Sequence, residues 1–136
     1  MVEALRVQRV AGADGAWGVK MRRDDEFFRS MLLNFEASDE SLFIVGGTLS
    51  MDEDERKSDF HVRLACDAGL MLEMNPSVYR LTSQGHDYLD AVRSDTVWMK
   101  TKKGAAEVGG LTLGLMKDLA LAYVKQEAAE KLGIKL

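Results

Sequence analysis

The only proline of the chain, Pro76, sits between two short apolar runs and so fixes the local topology. Leu70-Met-Leu-Glu-Met74 comes before it and Ser77-Val-Tyr-Arg-Leu81 after it. Asn75-Pro76 is a turn pair, and proline cannot donate to a strand ladder, so the two runs read as the arms of a hairpin. Upstream, Phe60, His61, Leu64, Ala65 and Ala68 recur at helical spacing up to Gly69, which suits the position just past a helix end. Ser50 with Glu53 three places on predicts a capping box at the start of that helix. A helix therefore feeds directly into a two-stranded hairpin.

The flanking segments extend this order. Arg23-Asp-Asp-Glu26 opens a helix with acids in its first turn, where the dipole favours them, and Phe27, Phe28, Met31, Leu32 and Phe35 form its apolar face. Leu42-Phe-Ile-Val45 reads as a short strand ended by Gly46-Gly47. Thr82 or Ser83 caps a helix from Gln84 to about Arg93, buried through Tyr88, Leu89 and Val92. Val97-Trp98-Met99 continues as helix, Gly109-Gly110 breaks it, and Thr112 caps a last helix to about Leu132. That helix carries Leu115, Leu119, Ala122, Gln126 and Ala129 in one stripe, with Met116 and Tyr123 beside it.

The expected class is mostly α with a small β-hairpin: a winged helix-turn-helix-like domain plus a C-terminal helical extension. The stretch from Gly47 to Gly69 is short for two full helices, so either the first is a single turn near Met51–Glu55 or the two are fused. Residues 1–20, broken by the Gly12–Gly18 stretch, read as an N-terminal extension that adds little to the core, and Met21 is a candidate original start. Residues 21–93 read as the winged-helix-like domain and 94–136 as the helical extension.

Composition narrows the function. A chain of 136 residues suits one domain, and its net charge of −4 weighs against broad phosphate contact, which needs Lys and Arg. Cys66 is the sole cysteine, so no internal disulfide forms, which fits a reducing cytoplasm. No apolar run approaches the roughly 20 residues of a membrane span, and no secretory signal is visible, so a cytoplasmic protein without membrane partners is expected.

Chemistry-bearing motifs are scarce. His86-Asp87 looks like a metal-binding doublet, but such a metal needs further ligands and His61 is the one other histidine; a helix-start role, with Gly85 admitting a close neighbour and His86 bonding locally, is the stronger reading. Cys66 and His61 lie five apart on one helix and do not share a face. No Ser-His-Asp pattern, phosphate loop or dinucleotide fingerprint is present, so no catalytic residue, metal ligand or cofactor is expected.

Binding is the remaining class. Helix Asp52–Ala68 is the recognition-helix candidate, with Arg56, Lys57, Asp59 and Arg63 facing outward and Arg80 on the wing. Arg56, Lys57, Arg63 and Arg80 are the DNA-binding candidates; Asp52, Glu53, Asp54 and Glu55 at the same helix start would repel a phosphate backbone. Lys100, Lys102 and Lys103 form a second small basic cluster. DNA ranks slightly above a protein partner, and the broad face of the last helix predicts a homodimer.

Ala68-Gly-Leu-Met-Leu72 followed by Tyr79-Arg-Leu-Thr-Ser-Gln-Gly-His-Asp-Tyr-Leu-Asp90 resembles the wing and following helix of PadR- and MarR-type proteins. With Ala91-Val-Arg-Ser-Asp-Thr-Val-Trp98, Met21-Arg-Arg-Asp24 and Phe60-His-Val-Arg-Leu64, the chain is similar, over about residues 21–134, to an uncharacterised bacterial and phage family often carried on prophages. The resemblance implies a winged-helix fold and a prophage-type context, and carries no activity.

Overall fold

The computed structural model describes residues 21–47, 51–109 and 112–133; the expectations for residues 1–20, the Ser50 cap and Gly110 lie outside that range. Eight elements follow in order: α1 (Asp25–Ala37), β1 (Phe43–Ile44), α2 (Glu53–Asp67), β2 (Met71–Asn75), β3 (Val78–Leu81), α3 (Ser83–Val92), α4 (Asp95–Glu107) and α5 (Leu113–Leu132). Between β1 and β2 the described residues form one helix, not two.

Each helix starts where a short oxygen-bearing side chain can accept a backbone N–H. Asp24, Asp52, Thr82, Ser94 and Thr112 accept from Phe27, Glu55, Gly85, Val97 and Leu115 respectively. Such caps satisfy donors that no helical carbonyl can reach. The capping box of α2 is Asp52 with Glu55, two residues later than the Ser50–Glu53 pair expected from sequence.

The hairpin joins β1 into an antiparallel sheet of order β1-β3-β2. Phe43 faces Tyr79, Ile44 faces Val78, Leu72 faces Arg80 and Met71 faces Leu81, with a bulge between Glu73 and Asn75. Side chains alternate along a strand, so Met71, Tyr79 and Leu81 point to the core while Ile44, Val78, Leu72 and Arg80 share the other face. Pro76 and Ser77 make the turn, Ser77 with φ at +65°.

One apolar core runs through all five helices and the sheet, including Phe28, Leu32, Val62, Leu70, Tyr79, Leu89, Trp98, Met116 and Ala120. It is continuous across the Arg93–Ser94 boundary. Gly85 makes the junction of hairpin and α3 possible: a Cβ there would lie 2.1 Å from the Leu70 carbonyl oxygen. That close approach is the role expected for this glycine. In α2 the buried face is His61, Val62 and Ala65, with Phe60 only half-buried, so the centre of the stripe is displaced by one residue.

Helix α5 folds back onto α3 and α4, and Met116 and Ala120 are fully buried. Leu115 and Leu119 of the expected dimer stripe are partly buried against this core, while Ala122 and Gln126 of the same stripe are exposed. Among the described residues no helix is long and apolar enough to cross a membrane.

Candidate interaction site

Helix α2 is fixed to the start of α1 from two sides. His61 Nε2 accepts the Asp24 backbone N–H at 2.9 Å, and Nδ1 lies 2.8 Å from the Lys57 carbonyl. The Lys57 ammonium is 3.2 Å from the Asp24 carboxylate and 4.6 Å above the Phe27 ring. The Phe27 N–H bond and then Lys57 hold the Asp24 carboxyl below the usual aspartate range. Lys57 therefore faces α1, contrary to the outward position expected of it. The expectation followed from helical spacing with Phe60, His61, Leu64 and Ala65 turned inward; the partner of Lys57 lies 33 residues away in sequence, beyond the reach of that spacing.

The other three candidate cations are also engaged within the chain. Arg56 donates to the Met51 carbonyl at 2.6 Å, and Arg63 lies 3.2 Å from the Asp59 carboxylate, one turn back. The Asp59 pairing raises the Arg63 pKa further. Arg80 sits on the outer sheet face and donates to the Leu81 carbonyl at 3.2 Å. Arg56 and Arg63 are exposed on α2, Lys57 is turned to α1 and Arg80 belongs to the outer sheet face.

Sequence reasoning missed a groove beside this region. Phe27, Met31 and Phe35 of α1 line it on one side, Ile44, Val45 and Gly46 close one end, and Asp54, Glu55 and Ser58 of α2 form the opposite wall. Its volume is roughly 620 Å³, within the usual range of binding clefts. Ile44 stands at its mouth with 81% of its surface exposed. The signal was present as Phe27, Met31 and Phe35 at i, i+4 and i+8, but that stripe reads equally well as core. Only Met31 of the three is buried.

The remaining polar clusters hold the fold together. Glu36 receives Arg93 at 2.6 and 3.1 Å, and His86 Nδ1 lies 3.6 Å away. Arg93, then burial-opposed pairing with His86, leaves the Glu36 carboxyl lowered. His86 thus faces α1, and does not bond locally at its own helix start as expected. Arg29 donates to the carbonyls of Val92 and Arg93 at 2.7 and 3.1 Å, closing the end of α3. Trp98 Nε1 donates to Glu26 at 3.0 Å, and Lys102 pairs with the same carboxylate. Burial pushes the Cys66 thiol up, away from the thiolate a nucleophile needs. No group of three His, Cys, Asp or Glu suited to a metal ion occurs among the described residues.

Comparison with known proteins gives a family. The family model described as "Hypothetical protein (DUF2513)" matches residues 22–112, ending just before α5. An "Uncharacterized protein" of Haemophilus influenzae (strain ATCC 51907 / DSM 11121 / KW20 / Rd) is 31% identical over 122 residues, covering 80% of this chain and all of the relative. No solved structure matches.

Proposed function

The chain belongs to the DUF2513 family of hypothetical proteins, and we propose that it is a non-catalytic binding module directed at a protein. The observation that carries this reading is the apolar groove between α1 and α2, with Ile44 exposed at its mouth. An isoleucine that leaves 81% of its surface in water at the edge of such a groove fits a site that is covered on binding. Leu72 and Met74, both nearly half exposed on the hairpin, add apolar surface, with Arg80 opposite Leu72. The engagement of Arg56, Lys57, Arg63 and Arg80 with partners inside the chain supports the same choice.

A DNA-binding regulator is the second reading, and the element order favours it. Helix α2 leads through Gly69 directly into the β2–β3 hairpin, which supports a winged-helix-like frame of the kind suggested by the Leu81-Thr-Ser-Gln-Gly-His-Asp-Tyr-Leu-Asp90 string and its prophage-type resemblance. A frame does not fix its use, however. The four carboxylates of Asp52–Glu55 stand at the end of α2 that a recognition helix inserts into a groove.

Titration of a labelled random-sequence duplex at about 25 and about 150 mM salt separates the two readings. The protein-binding reading expects no saturable binding at either salt. Tight binding that falls steeply between the two concentrations would overturn it.

A further inference from the structure

Resting on the protein-binding reading, we infer that the α1–α2 groove receives a protein segment that is apolar on one side and carries Lys or Arg on the other. Phe27, Met31 and Phe35 lie one turn apart, so they form a continuous apolar floor about 12 Å long. This matches the spacing with which an amphipathic segment presents its own side chains. The facing wall carries Asp54 and Glu55, and the other polar residues of the groove, Ser30 and Asn34 on α1 and Ser58 on α2, are uncharged. Among the described residues, no Lys or Arg lines the groove.

The charge at this wall is one-sided. The start of α2 contributes roughly half a positive charge through its dipole. Asp52, Glu53, Asp54 and Glu55 set four carboxylates against it. The two cations that follow are already engaged, Arg56 with the Met51 carbonyl and Lys57 with Asp24 above the Phe27 ring, so carboxylates outnumber free cations at this wall. An acidic segment seated on the apolar floor would bring carboxylates against Asp54 and Glu55, whereas a basic one would place its cations there while excluding water. Opposite charges gain strength as water leaves.

Panning a displayed random-peptide library on the full chain tests this. Peptides that combine Leu, Ile or Phe with Lys or Arg should be enriched, and their binding should weaken with salt. Ser30→Trp fills the groove from an exposed position and should lower their affinity by at least about tenfold. Asp54→Lys should weaken them by about fivefold and flatten the salt dependence, while Asp118→Lys, exposed on α5, should change neither. If Ser30→Trp does not fold, Asn34→Trp fills the same groove. Enrichment of neutral or acidic peptides that Ser30→Trp still blocks would overturn the charge inference and leave the protein-binding reading standing. Peptides indifferent to both tryptophans would overturn the groove as their site. An empty selection together with salt-dependent duplex binding would overturn the reading itself.

Discussion

His61 Nε2 accepts the Asp24 backbone N–H at 2.9 Å, across 37 residues of sequence. A ring nitrogen that accepts an N–H carries no hydrogen, so Nδ1 is the donor to the Lys57 carbonyl, 2.8 Å away. The ring is fully buried, 4.8 Å from Phe27 and 5.3 Å from Phe60 between centroids. It both fills the core and holds the first turn of α1 against α2. His61→Phe keeps the volume but leaves the Asp24 N–H without its acceptor. The expected loss is about 1–3 kcal/mol, read as a lower urea midpoint at unchanged slope. An unchanged midpoint would show that the bond contributes nothing.

Gly85→Ala tests the junction of hairpin and α3. The added Cβ would lie 2.1 Å from a backbone oxygen, that of Leu70, which also accepts the Thr82 N–H at 3.0 Å. Neither the strand nor the helix can yield without breaking that bond. A loss of about 3 kcal/mol, the upper end for overpacking, is expected in the same denaturation assay. A loss under about 0.5 kcal/mol would mean that the two elements are not in contact as described.

Much of this frame could be read from sequence because it is locally encoded. Pro76 marked the hairpin, Thr82 and Thr112 marked helix starts, and Gly85 marked a close approach. Long-range pairs were not legible. The orientation of Lys57 depends on Asp24, and that of His86 on Glu36, and no spacing rule connects those positions. The buried face of α5 was also ambiguous. Leu113, Leu115, Met116, Leu119, Leu121 and Tyr123 are distributed around the helix, and α3 and α4 grip it from two sides, so the fully buried residues, Met116 and Ala120, lie off the Leu115–Ala129 stripe. The groove escaped notice because apolar spacing alone does not distinguish a floor open to solvent from one already covered.

Tyr88→Phe should leave stability unchanged or raise it. The Tyr88 hydroxyl is buried with no hydrogen-bond partner among the described residues, and burial drives its pKa up. Removing an unpaired hydroxyl relieves a desolvation cost of up to about 1–3 kcal/mol. A clear fall in thermal midpoint would instead reveal a partner for that oxygen.

Acid should destabilise the chain below the ordinary carboxylate range. Asp24, Glu26 and Glu36 all titrate below their reference values of 3.8, 4.5 and 4.5, chiefly through hydrogen bonds from Phe27 N–H, Lys102 and Arg93. A depressed folded-state pKa contributes stability that is present above the unfolded value and is lost as pH falls through the folded one. The urea midpoint should therefore be level above about pH 5 and fall below about pH 4.5. Glu36→Gln should shallow that fall, and a slope identical to wild type would remove Glu36 from the explanation.

Amide chemical shifts of the labelled full chain, recorded with a random-sequence duplex and with a peptide selected by panning, test the central claim most directly. The protein-binding account predicts peptide-induced changes centred on Phe27, Met31, Phe35, Ile44 and Ser58, and none with the duplex. Changes induced by the duplex along Arg56–Arg63 and the β2–β3 hairpin, with the groove silent to peptide, would contradict it.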